Sequence, residues 1–465
     1  MRRNFPQIGL LIFAATLLAG CIDSDNGGVT GEGSIRALHA IPEIGNVAFL
    51  IEEVQLAALG YKDVSGTSSY DDLEYDFNFE ILLPGDTEET LLATTVLNVS
   101  RDFEYTFVLA GTFEAPEVII WEQFGRDWAD ELEDADDAGT EVTVMEVSFA
   151  HVDRELGEVD VYLESPGTSP AATTPRGSLA YGERTDVFEL TADEYQLVFT
   201  SPGDPSSILF ASDPINIPAA TTNLLVIMAD GGLTSADFTV RWIGTSLGLE
   251  LLDINVAPQF SAIHAAFGSA DVDVVLDNEF TTPEIQGLAF GGISKDLAID
   301  DGSLDINVTP AGNPGVLLAQ REVTVAPGAF IRTYIVGLPG EVQLVTIADD
   351  RRVLATNARV QIFQAAARYQ TLDIYLVEDD VDIALIDPTF PTVLFGTGNS
   401  YLPFEAGSYN LVLAEPGTKT IVGGPFAVTL EIGRNYGIVA VDEDDITAAN
   451  VLIYDQTPES SDPPP

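Results

Sequence analysis

The chain has 465 residues, and 19 Lys+Arg stand against 74 Asp+Glu for a net charge of −55 at pH 7. A surface this acidic repels phosphate backbones and anionic headgroups, which excludes nucleic acid as a partner and excludes electrostatic attachment to membranes. The single cysteine excludes an intrachain disulfide, so any domains must stand on their cores alone.

At the N-terminus, Met1-Arg2-Arg3 is basic and Ile8 to Ala19 is apolar. The apolar run is far shorter than the ~20 residues a membrane span needs, so it reads as an export signal. It ends in Leu18-Ala19-Gly20-Cys21, which resembles the lipobox of bacterial lipoproteins. That resemblance implies residues 1–20 as a lipoprotein signal peptide, cleavage before Cys21, and lipid on the Cys21 thiol and new amino group. Acyl chains contribute ~0.8 kcal/mol per buried CH₂, and two or more anchor stably. Ile22 follows the cysteine, where an Asp would favour inner-membrane retention; the resemblance therefore implies the outer membrane. Residues 21–33 are rich in Gly, Asp and Ser and read as a flexible tether.

Beyond the tether one order of landmarks occurs four times. Three copies open on the chain's three histidines, His39, His151 and His264; the fourth has Gln364 in that place. Nine residues on stand Ala48, Asp160, Asp273 and Asp373, each inside a short apolar strand. An aromatic beside glycine follows: Gly60-Tyr61, Tyr181-Gly182, Phe290-Gly291 and Phe395-Gly396. A turn then closes each copy's sequence of landmarks: Pro84-Gly85, Pro202-Gly203, Pro310-Ala311-Gly312 and Pro416-Gly417. The steps between first landmarks are 112, 113 and 100 residues, too long for solenoid or propeller repeats of roughly 20–50 residues. They predict tandem domains over 34–132, 142–253, 258–350 and 355–454. Within each copy, about seven short alternating strands with turn signals argue for an all-β sandwich. The histidine falls on the apolar phase, at the end of an edge or first strand. Glu122 to Asp137 is the best helical stretch, between copies one and two. Residues 455–465 predict a disordered tail.

His39-Ala40, Val159-Asp160-Val161-Tyr162, Leu179-Ala180-Tyr181-Gly182, His264-Ala265, Leu288-Ala289-Phe290-Gly291 and Gly407-Ser408-Tyr409-Asn410-Leu411 together resemble the bacterial family named domain of unknown function 4397. Copies one and four depart from the pattern at Ala48 and Gln364. The resemblance implies immunoglobulin-like β-sandwiches in an exported, lipid-anchored protein. It carries no chemistry.

His151 with Asp160 and His264 with Asp273 invite a catalytic dyad, but their strand phases oppose and no Ser or Cys nucleophile accompanies them. Gln364 keeps the hydrogen bonds of a histidine without titrating near neutrality, which argues for a structural role of His39, His151, His264 and Gln364, with Asp160, Asp273 and Asp373. No catalytic residue and no cofactor is expected. One histidine per copy is too few for zinc. Calcium is the one metal considered. Asp134, Asp136 and Asp137, and Asp379, Asp380 and Asp382, are acidic clusters of the right ligand type, although the calcium-loop spacing fails at Ala138 and Met145. The expected function is a non-enzymatic, lipid-anchored envelope protein, a string of sandwiches with a structural, adhesive or display role and an envelope protein or glycan as partner. The alternative is a ligand-binding module for glycan or calcium, with Tyr162 and Tyr375 as outward aromatic platforms.

Overall fold

The computed structural model describes residues 31–244, 248–378 and 381–458. The chain is nearly all β, in separate sheets of four or five strands that pair into tandem sandwiches. The first domain shows the plan with β1 (Glu32–His39), β2 (Val47–Ile51), β3 (Val54–Leu59), β4 (Ser68–Asp71), β5 (Glu74–Ile81), β6 (Thr90–Asn98), β7 (Phe103–Gly111) and β8 (Pro116–Phe124). One sheet has the order β4-β1-β7-β8 and the other β3-β2-β5-β6. Strand β1 runs parallel to β7, with Ser34 to His39 beside Glu104 to Leu109. The other three domains repeat both orders, and the second adds Ile215–Ile217 and Leu249–Leu251. Antibody constant domains instead set ABED against CFG, so the immunoglobulin likeness is one of architecture.

Several expectations shift. Each domain has an eighth strand, because its fourth is only two to four residues long (Ser68–Asp71, for example) and reads as loop. The histidine strand is the first of its domain, as one of the two alternatives had it, but it lies interior to its sheet and not at an edge. Glu32 and Gly33, expected in the tether, already pair with Asp71 and Tyr70. Asp455, expected in the tail, ends the last strand, and the Gln456 N–H donates to the Asn435 carbonyl. Glu122 to Phe124 complete β8, so the helix α1 covers only Trp128–Ala138. Asp127 caps it, accepting from the Ala129 and Asp130 amides at 3.0 and 3.1 Å. Gly139, at φ 67°, ends it. No helix among the described residues is long and apolar enough to cross a membrane.

Inward-facing residues close each sandwich separately. In domain one Phe49, Phe77, Phe79 and Phe107 form the centre, with the Phe77 and Phe107 rings 4.2 Å apart. Full burial of each such ring contributes about 1.5–3 kcal/mol. The histidine-bearing sheets are also apolar on their outer phase, and these outer faces dock domain on domain. Leu38, Val108 and Trp121 pack against Ala150, Val226 and Met228. Likewise Ile263 and Tyr334 pack against Phe363 and Val439. The Tyr334 and Phe363 rings stack at 3.8 Å with planes 3° apart. The residue preceding each first landmark (Leu38, Ala150, Ile263, Phe363) therefore faces another domain. Domains one and two, and three and four, form back-to-back pairs. They are not beads on a rod, because a strand apolar on both phases needs cover on both faces.

The connection from domain three to domain four ties the pairs together. The Arg351 N–H donates to the Gly232 carbonyl of domain two at 2.9 Å, and the Ala355 N–H to the Glu43 carbonyl of domain one at 2.7 Å. Asn435 of domain four donates to the Arg351 and Arg352 carbonyls at 3.3 and 3.1 Å. The Arg351 guanidinium grips Asp296 of domain three.

Candidate functional site

The repeat landmarks are brought together by hydrogen bonds, and each bond explains a spacing. After the first strand the chain crosses to the opposite sheet, and the histidine holds that crossover. His39 Nδ1 accepts the Ile41 N–H at 3.3 Å, so the proton sits on Nε2, which donates to the Gly45 carbonyl at 3.1 Å. His151 does the same with Asp153 N–H (3.1 Å) and the Gly157 carbonyl (3.1 Å). His264 does so with Ala266 N–H (3.3 Å) and the Ala270 carbonyl (3.1 Å). In domain four Gln364 Oε1 accepts from Ala366 N–H at 2.6 Å, and its Nε2 donates to the Tyr369 carbonyl at 2.7 Å. Burial pushes the His39 imidazole down to about 3, against the pull of the Gly45 carbonyl, and Arg352 adds to the fall. Burial lowers His151 and His264 in the same direction.

The aromatic-glycine turn is bonded to the same strand end. The amides of Gly182, Gly291 and Gly396 donate to the carbonyls of His151, His264 and Gln364, each at 2.8 Å. All three glycines have positive φ. The matching bond in domain one comes from Lys62 N–H to the His39 carbonyl at 2.9 Å, so the true counterpart of Tyr-Gly is Tyr61-Lys62. Lys62 takes φ +66°, a conformation normally left to glycine.

The signature aspartates sit in the other sheet, on the second strand, and bridge the third strand to the Pro-Gly turn. Asp160 accepts from the Ser178 hydroxyl and from Gly203 N–H at 2.7 Å. Asp273 accepts from Gly287 and Gly312 amides at 2.7 and 2.8 Å. Asp373 accepts from Thr392 and Gly417 amides at 2.8 and 3.2 Å. No hydrogen bond joins a signature histidine to its aspartate; the two hold different loops.

The candidate calcium ligands do not assemble into a site among the described residues. Asp134, Asp136 and Asp137 lie on α1, where residues two apart point to opposite sides, so they do not form a calcium loop. Asp382 caps a short turn of helix, accepting from the Ala384 amide at 2.9 Å. Asp379 and Asp380 lie outside the described residues, as does Cys21. Among the described residues no group of three or more His, Cys, Asp or Glu could hold a metal ion. The aromatic platforms are overturned as well. Tyr162 is 4% exposed and Tyr375 0%, because their outward phase is covered by neighbours of their own domain, Val198 and Ala211 for Tyr162 and Ile383 for Tyr375.

Sequence reasoning missed the interdomain contacts. Lys62 (side chain 4% exposed) reaches across to Asp230 (0%) at 3.2 Å and to Glu250 at 2.6 Å, both in domain two. The Tyr61 hydroxyl donates to the Ala229 carbonyl of domain two. Reciprocally, the Tyr181 hydroxyl of domain two donates to Glu117 of domain one at 2.6 Å. This exchange of aromatic turns gives the pair an approximate two-fold relation. The available signal was the outward-phase apolar series Leu38, Ala40, Val108 and Ala110.

Fold and site together define a tandem β-sandwich protein whose repeated polar residues brace crossovers and turns. The particular family is visible in the second half of the chain. Residues 258–375 match a family model described as Domain of unknown function (DUF4397), so a domain of that family lies there. The match runs from the first strand of domain three into the second strand of domain four, and it includes His264, Asp273, Gln364 and Asp373. No curated protein matches the chain.

Proposed function

We propose that the chain is a non-enzymatic protein of the cell envelope, exported and held by lipid on Cys21 in the outer membrane. Its docked sandwiches serve as a structural, adhesive or display body. The observation that carries this reading is that the fold itself occupies the repeat's chemistry-bearing side chains. His39, His151 and His264 are buried with both ring nitrogens bonded to backbone, and Asp160, Asp273 and Asp373 have both oxygens on turn and strand donors. An imidazole so held offers no free nitrogen as a general base. The net negative charge supports the lipid anchor, since anionic headgroups repel it.

The test is metabolic acyl labelling and fractionation of cells making the chain or its Cys21→Ser variant. The reading expects label and membrane partition for the first, and neither for the second. Equal partition of both overturns the anchor. Protease shaving of intact cells, with a C-terminal tag, then decides the facing: loss of the tag means a surface display role, and protection until lysis means a periplasmic scaffold.

A further inference from the structure

A cleft lies where domain one meets domain four, at the Pro84-Gly85 turn and beside Gly45, whose carbonyl holds His39. Its volume of about 380 Å³ falls within the range of small-molecule sites. Leu82, Leu83 and Pro84, just after β5, form one wall; Leu402 and Pro403 of domain four form the other. Leu82 is 55% exposed and Leu402 41%, so both walls present apolar surface that neither domain covers. Two guanidinium groups line the same cleft, and they differ. Arg359 is saturated: it pairs with Asp350, donates to the Arg352 carbonyl and lies 4.7 Å from the Tyr401 ring. Arg352 is not. Its Nε and Nη1 have no hydrogen-bond partner, and among the described residues it forms no ion pair. Its guanidinium lies 5.3 Å from the Tyr61 ring, and the charges of Asp350 and Asp63 reach it without forming an ion pair. The neighbouring Arg332 and Arg351 both pair with carboxylates. Among the described arginines Arg352 is the one with two buried guanidinium nitrogens left unpartnered, and such a group asks for an anion.

We propose that this cleft binds a small amphiphilic carboxylate, its carboxylate on Arg352 and its short aliphatic body between the Leu82 and Leu402 walls. The apolar walls give a purely polar anion nothing to bury against. One unpaired cation matches one negative charge, and the field of the whole chain penalises each further charge on a ligand.

Isothermal titration of the full chain with octanoate tests this, at 0.15 M salt, where the field beyond about 8 Å is screened. Octanoate should bind saturably at one site. Acetate, lacking the aliphatic body, and octanol, lacking the charge, should each bind at least about tenfold more weakly. Arg352→Gln should weaken octanoate about tenfold or more. Leu402→Asp, at an exposed position, should do the same without altering Arg352, and it decides the matter if Arg352→Gln fails to fold. Arg101→Gln, remote and exposed, should leave binding unchanged. No saturable binding of octanoate overturns the proposal. So does wild-type affinity in either folded cleft variant, or equal binding of acetate or octanol.

Discussion

Replacing His39 by Gln, the residue domain four already uses at this place, should leave stability at pH 7 nearly unchanged and make the protein more resistant to acid. The two bonds His39 makes, from Ile41 N–H and to the Gly45 carbonyl, have direct counterparts at Gln364, so the neutral side chains are interchangeable to within about 1 kcal/mol. The difference appears on acidification. The folded imidazole is held down to about 3, from an ordinary value of 6.5. Between those values the unfolded chain binds a proton that the folded chain refuses, so stability falls as pH drops below 6.5. At 1.36 kcal/mol per unit, the penalty at pH 4.5 is about 2.7 kcal/mol, and glutamine does not incur it. Urea unfolding at both pH values, followed by tryptophan fluorescence, measures the effect; Trp121 reports on the interface of domains one and two. Carboxylate titration is common to both proteins and cancels in the difference. The reasoning fails if His39→Gln loses as much stability between pH 7 and 4.5 as the wild type. His39→Ala should instead lose about 2–4 kcal/mol at pH 7, since it leaves a buried amide and a buried carbonyl without partners.

Lys62→Met should strand Asp230 in the interface and weaken docking of domains one and two by about 3–5 kcal/mol, read as faster proteolysis of residues 125–143 at fixed protease. Phe363→Ala removes one ring of the stack with Tyr334 and should cost about 3–5 kcal/mol, lowering the calorimetric transition of domains three and four. Asp273→Ala should free two amides at once, and hydrogen exchange at Gly287 and Gly312 should accelerate together; acceleration at one alone would refute the shared bracing. Raising salt from about 0.01 to 0.15 M shortens the screening length from roughly 30 to 8 Å and should raise the unfolding midpoint, because repulsion among 74 acidic side chains is screened while the buried pairs are not.

The repeat, the strand signals and the sandwich class were legible because each rests on local pattern: alternation, Pro-Gly turns, and landmarks at constant spacing. The hydrogen-bonding role of His39 and Gln364 could be reasoned from the exchange itself, since the two side chains share a donor and an acceptor but not a titration. The docking of domains was not legible. Leu38 and Val108 look like ordinary β-formers on an outward phase, and only a partner sheet gives that phase a meaning. Tyr162 and Tyr375 failed for the same reason, as the cover on an outward face comes from neighbours that no periodicity locates. Lys62 is hidden because it replaces the glycine of its turn, and Gly60, two residues earlier, offers a false match beside Tyr61.

The placement of the few cations follows from the charge. Sandwiches with so large an acidic surplus repel one another, so docking needs apolar contact and local neutralisation where carboxylates converge. Several basic residues stand at such places or across the docked faces. Lys62 joins domain one to domain two through Asp230 and Glu250. Arg184 of domain two donates to the Glu122 carbonyl and to Gln123 of domain one. Arg126, just before α1, holds Glu131, Glu146 and Glu189. Arg332, Arg351 and Arg359 neutralise Asp349, Asp296 and Asp350 around the connection that touches all four domains. Most of these groups are at least half buried, where pairs act at higher strength and under less screening than on the surface. The long-range repulsion is therefore the salt-sensitive term and the short-range pairing the persistent one. Arg352 stands beside these staples with two guanidinium nitrogens unpartnered and no ion pair, and that is why the cleft it lines, rather than any histidine, is the place to look for a ligand.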